Sequence, residues 1–181
     1  EQYLKTFTEV LRSDGFIERD SFYEISKRWI HSILYTTRSD EVISLFSDTT
    51  EMRNAHEALF NSEKMLRNIF DNVQVGVELY DKEGCLVDIN TKNLDIFGIA
   101  AKEDVLGINF FENPIVPEEI RRNVRNGQEQ SFRLDYPFDR LGGYYPSRKK
   151  GSVQIYTKVT MLYDMYGELV NFLVLNIDNT E

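Results

Sequence analysis

Apolar and polar residues along the chain alternate with two different periods, and the points where the period changes mark its elements. Near the start, Leu4, Phe7, Val10 and Leu11 fall at helical spacing, and Asp14-Gly15 closes the segment. Three strand-like runs follow: Phe16 to Ile25, Arg28 to Thr37 and Glu41 to Ser47. The second sets Trp29, His31, Ile33 and Tyr35 against Ile30, Ser32 and Leu34, and Ser39-Asp40 offers a tight turn before the third. This predicts an antiparallel meander, too small to bury much surface unaided.

Residues 51–73 revert to a helical period. Met52, Ala55, Leu59, Ser62, Leu66, Ile69 and Val73 recur at intervals of three and four, the a/d spacing of a short coiled coil, with Ser62 the only polar member. Phe60, Met65 and Phe70 lie off that seam. The spacing therefore fits either a parallel homodimer seam or an amphipathic helix laid on its own sheet.

From Val75 the pattern alternates again. Val75 to Tyr80 and Cys85 to Ile89 read as strands joined by Asp81-Lys82-Glu83-Gly84, with Cys85 a core residue. Asn90 is an N-cap before Leu94 and Phe97, and Gly98 is the stop. Short helices follow near Lys102–Leu106, Asn109–Glu112 and Pro117–Arg125. Three longer strands close the chain: Gln130 to Phe138, Ser152 to Tyr163 and Glu168 to Ile177. The order predicts an α+β fold, a five-stranded antiparallel sheet with helices on one face. Residues 41–51 (EVISLFSDTTE) and 168–181 (ELVNFLVLNIDNTE) each run a strand into Asp-x-Thr-Glu, so residues 1–51 read as the back half of a second copy. The expected division is 1–51, a linker helix over 52–73 and a complete domain over 74–181.

Composition narrows the function. The 181 residues are 41% hydrophobic and 13% aromatic, enough for a packed core. A net charge of −9 argues against nucleic acid as a partner and against docking on anionic lipid. The single cysteine, Cys85, excludes an internal disulfide and suits a reducing, cytoplasmic setting. No apolar run approaches the roughly 20 residues of a membrane helix. Starting at Glu1 without Met, the chain reads as a fragment of a longer protein.

From Glu63 to Glu181 the sequence resembles PAS domains. The match is carried by the Gly76 strand with Asp81-Lys82-Glu83-Gly84, by Val87-Asp88-Ile89-Asn90 entering Leu94-x-x-Phe97-Gly98, by Glu103-Asp104-Val105-Leu106-Gly107, and by Asp178-Asn179-Thr180-Glu181. The Trp29 strand and Asp48-Thr49-Thr50-Glu51 resemble the end of a preceding PAS unit. The resemblance implies a sensory or relay module of a bacterial two-component regulator, non-catalytic itself, acting on a kinase or effector downstream in the same chain. The alternative is a ligand-free PAS that only dimerises or docks another protein.

The resemblance also assigns roles. Asp48, Thr50 and Glu51, and Asp178, Thr180 and Glu181, become the coupling residues between sheet and output helix; as a capping box they serve simply to start a helix. A flavin-type light sensor needs a cysteine after the Gly-x-Asn stretch, where Gly107-Ile108-Asn109-Phe110-Phe111 has Phe, and a haem-type sensor needs a histidine absent after His56. Both cofactors are disfavoured. Metal is too, since His31 and His56 stand apart. Asn109, Tyr136, Tyr156 and Asn171 are the candidates for holding an unknown small molecule, with satisfied core side chains as the competing role. The loop 141–151, with Tyr144, Tyr145, Arg148, Lys149 and Lys150, reads as a solvated hairpin connection. No nucleophile elbow, phosphate loop or zinc motif is present.

Overall fold

The computed structural model describes residues 8–10, 15–37 and 41–180. Leu4, Phe7 and Leu11 of the expected first helix, the Ser39-Asp40 turn and Glu181 lie outside them. The described residues form two compact units, one ending at Met65 and the other starting at Leu66.

In the first unit, β1 (Phe16–Tyr23), β2 (Arg28–Thr36) and β3 (Val42–Asp48) form an antiparallel sheet in the order β1-β2-β3. Register brings complementary side chains together across the strands. Phe22 lies opposite Trp29 with ring centroids 5.3 Å apart, and Asp20 lies opposite His31. Among the described residues of this unit, burial is confined to Val10, Ser32 and Leu34. Phe16, Leu45 and Phe46 stay more than half exposed.

After β3 only Thr49 intervenes before helix α1 (Thr50–Asn72). Its 23 residues include none that is buried. Met52, Leu59, Leu66 and Ile69 are all more than half exposed, and Val73, one residue beyond the helix end, still donates its N–H to Ile69. Local pairs such as Arg67–Asp71, four residues apart, add only a few tenths of a kcal/mol. The division between the units falls within this helix.

In the second unit the strands are β4 (Gly76–Asp81), β5 (Leu86–Ile89), β6 (Gln130–Pro137), β7 (Ser152–Tyr163) and β8 (Leu169–Asp178). They pair antiparallel in the order β5-β4-β8-β7-β6. Helix α2 (Thr91–Phe97) starts at Asn90, whose side chain accepts from the Asn93 amide, and stops at Gly98 in the left-handed conformation that a glycine tolerates. Two 3-10 turns, Lys102–Asp104 and Phe110–Glu112, replace the first two short helices expected, and α3 (Glu118–Arg125) follows Pro117. Ile96, Phe97, Val105, Phe110 and Val124 from these segments share one core with the strands.

Two local expectations change. The loop after β6 is not solvated throughout: Leu141 and Tyr145 are buried, Ser147 donates to the Phe97 carbonyl and the Arg148 amide donates to Gly98. Its aromatic half closes the core while Arg148, Lys149 and Lys150 face water. Cys85 is half-buried ahead of β5, and it bridges to Asn109.

Candidate functional site

The pleat of β4 turns Gly76, Glu78 and Tyr80 towards the core, where they meet Asn176, Val174 and Phe172 of β8. The next strand continues these rows with Thr157, Val159 and Met161. A carboxylate therefore points into a face that is otherwise apolar or neutral. Asn93 Nδ2 donates to Glu78 Oε1 at 2.6 Å, and the Tyr80 hydroxyl donates to Oε2 at 3.0 Å. Asn176 Nδ2 donates to Asn93 Oδ1 at 3.0 Å, and the Thr157 hydroxyl donates to Asn176 Oδ1 at 2.8 Å. Gly76 makes the approach possible, because any Cβ there would collide with the Asn93 side-chain oxygen.

The network extends to the end of α1 through Asn90, which is fully buried. Asn90 Oδ1 accepts from the Val77 and Asn93 amides at 2.8 and 2.9 Å, and Nδ2 donates to the Phe70 and Val75 carbonyls, each at 2.9 Å. All the hydrogen-bonding capacity of one side chain is thus used to join the helix end, β4 and α2. Arg67 secures the same junction from outside by pairing with Asp88 of β5.

Glu78, Tyr80, Asn113, Tyr136, Tyr144, Tyr145, Thr157 and Asn176 give the polar lining of a core cavity of about 30 Å³; Phe97, Phe110, Val174 and other apolar side chains form the rest. That volume suits one or two water-sized groups. Glu78 is the only charged residue in the lining. Burial raises its pKa to about 7 against the opposing hydrogen bonds from Asn93 and Tyr80. Burial likewise lifts the Tyr136 hydroxyl to about 12 and Tyr80, Tyr144 and Tyr145 well above the usual phenol range. The Tyr144 hydroxyl donates to the Asn109 carbonyl at 2.8 Å. The buried Tyr145 hydroxyl is directed at the Tyr136 hydroxyl and accepts from no neighbouring donor among the described residues.

At the strand exits the two units repeat one arrangement. Asp48 Oδ1 accepts from the Thr50 amide at 3.0 Å and from its hydroxyl at 2.6 Å, and Thr50 Oγ1 accepts from the Trp29 amide at 2.9 Å. Correspondingly, Asp178 Oδ1 accepts from the Thr180 amide at 2.9 Å, and Thr180 Oγ1 accepts from the Gln154 amide at 3.2 Å. Each threonine thus ties the chain leaving the sheet to the neighbouring strand. Bonds from Thr50, with Arg28 alongside, hold the Asp48 carboxyl below the usual range. At Asp178 burial pulls upward and the Thr180 bonds outweigh it. Among the described residues Glu51 makes no return bond to Asp48, so the full capping box is not formed. In the first unit Arg53 instead adds a tie, lying 4.6 Å over the Trp29 ring and pairing with Asp20.

Of the four pocket candidates from sequence, Tyr136 lines the cavity and the other three do not. The Asn109 side chain is occupied in its loop, with Oδ1 accepting from the Phe111 amide and Nδ2 donating to the Glu83 carbonyl. Asn171 is spent on the Tyr80 carbonyl at 3.0 Å. Tyr156 lies between Ile155 and Thr157, which both line the cavity, so alternation points it to the other face. Glu78 and Asn93 escape notice in the sequence because a charged strand residue and a polar helix residue ordinarily face water. Asn176 carried a signal, being the polar member of the inward series Phe172, Val174, Asn176.

The family model described as PAS fold matches residues 64–178. The chain belongs to the PAS family, whose domains are generally non-catalytic sensory and signalling modules. Among solved structures, the PAS domain of an HTR-like protein from Haloarcula marismortui is 17% identical, with a TM-score of 0.53, over 70% of this chain and 98% of its own. The LOV protein of Rhodobacter sphaeroides is 18% identical, with a TM-score of 0.50, over 67% of this chain and 69% of its own. No curated protein matches. No helix among the described residues is long and apolar enough to cross a membrane.

Proposed function

We propose that the chain is a relay segment of a cytoplasmic, multi-domain two-component regulator, in which each PAS unit hands a conformational signal through its Asp-x-Thr exit to the helix that follows. The observation that carries this is the repeated exit: Thr50 and Thr180 fasten the chain to the neighbouring strand in the same way. A change in strand position in either sheet therefore alters the start of the next helix. The seam of Met52, Ala55, Leu59, Leu66, Ile69 and Val73 is the receiving surface. Isolated helices of this length are marginal in water, and α1 buries nothing of its own, so a second copy in parallel register supplies its stability. A kinase or effector downstream in the same chain receives the output.

Sedimentation equilibrium tests the dimer. The chain is expected to dimerise at micromolar concentration, and Leu59→Glu with Leu66→Glu to weaken association at least a hundredfold, because four buried charges replace four apolar contacts. A monomeric wild-type chain removes the relay surface. A second reading, a PAS that senses nothing and only dimerises or docks a protein, is favoured by one observation: the core cavity is small, about 30 Å³.

A further inference from the structure

The cavity has a chemical bias that its small size does not remove. Its one charged lining residue, Glu78, lies among aromatic rings without a lysine, arginine or histidine in the lining. A buried carboxylate without a counter-charge is costly, and a partner cation offsets that cost. The Tyr145 hydroxyl is a buried oxygen with unused accepting capacity. Tyr80, Phe97, Phe110, Tyr136 and Tyr144 present ring surface around the same space. Edge-to-face packing such as Phe97 against Tyr136, at 4.9 Å, holds that wall in place. Carboxylate, hydroxyl acceptors and aromatic faces together favour a cation, and the absence of cationic side chains disfavours an anion.

We propose that this cavity binds a small protonated amine of ammonium or methylammonium size, held by the Glu78 carboxylate, the Tyr145 hydroxyl and the surrounding rings. The size limit follows from a volume of about 30 Å³, room for roughly two heavy atoms. The inference rests on the relay reading and supplies the signal that is relayed. Binding converts Glu78 to its ionised form, so the proton it carries leaves to bulk water as the amine enters. Asn93 Nδ2, which donates to Glu78, then bonds to a full negative charge, and Asn93 Oδ1 passes the change to Asn176 on β8, two residues before Asp178. The groups that face Glu78 are Tyr80 on its own strand, Tyr136 of β6, and Tyr144 and Tyr145 of the following loop. These phenols stay neutral, so Glu78 alone titrates near neutrality.

Isothermal titration of the whole chain with ammonium chloride and methylammonium chloride tests the proposal, with sodium chloride and neutral acetamide as controls. Saturable binding of the ammonium ions is expected, about tenfold tighter at pH 8 than at pH 6, because a carboxyl of pKa about 7 is mostly protonated at the lower pH. Glu78→Gln is expected to abolish binding. Tyr145→Phe keeps the ring in the wall, gives up at most the contact with the Tyr136 hydroxyl, and is expected to remain folded while weakening binding several-fold, which keeps the test decisive if Glu78→Gln fails to fold. Equal heats with sodium or acetamide, affinity independent of pH, or unchanged binding in Tyr145→Phe overturns the proposal. Sedimentation reads the relay surface independently, so a dimer that ignores amines refutes this inference and not the relay.

Discussion

Glu78 is the residue at which stability and pH are tied together. Its pKa in the folded chain is about 7, above the 4.5 of an ordinary glutamate, because burial penalises the charge. Between those values the folded state holds the proton that the unfolded state has released, so stability falls as pH rises and the loss is complete above the folded pKa. Thermal melts are expected to show Tm decreasing from pH 5 to pH 8, by up to about 3 kcal/mol in stability, with the slope flattened in Glu78→Gln. A flat wild-type profile over that range is inconsistent with a buried, uncompensated carboxyl. Asn90 gives a complementary test. Asn90→Ala removes four hydrogen bonds at once, leaving the buried Val77 amide without its acceptor, and is expected to cost roughly 3 kcal/mol or more in urea unfolding. The sequence identifies Asn90 as a helix cap, since cap chemistry is local. Its grip on Phe70 and Val75 depends on tertiary placement that no spacing rule carries.

At the scale of elements, the strands are the most legible part. The runs ending at Asp48 and Asp178 and the pairing of β6, β7 and β8 follow from alternation, because one face of each strand must meet the core. The short helices are less so: over Lys102–Asp104 and Phe110–Glu112 the chain has too few residues to complete an α-helical turn and tightens to 3-10 geometry. The exits lie between these extremes. Asp-x-Thr is visible as a motif, yet the Thr50 bond to Trp29 and the Thr180 bond to Gln154 need the neighbouring strand to be in place. Thr50→Val keeps the shape and removes the acceptor. Hydrogen exchange at the Trp29 amide is expected to accelerate in this variant, at a stability cost of about 1 kcal/mol, with the Ile33 amide unaffected. Unchanged protection of Trp29 means the exit does not hold the strand.

Across the whole molecule the recurring feature is a sheet strand that leads through one short exit into an amphipathic helix or, at Thr180, into the end of the described chain. The heptad spacing of α1 shows in the sequence because any apolar stripe along a helix recurs every three to four residues. The interior polar network leaves no such trace, since its members come from β4, α2, β7 and β8 and share no period. Relay through α1 requires two copies in parallel register whose contacts respond to the exit. Disulfide cross-linking reads both properties in a Cys85→Ser background. Leu59→Cys and Leu66→Cys are expected to form dimers across identical positions, Glu57→Cys and Lys64→Cys on the outer face are not, and adding Thr50→Val is expected to shift yield between seam and outer positions. Cross-linking equal at all four positions, or a seam pattern that Thr50→Val leaves untouched, contradicts relay through this helix.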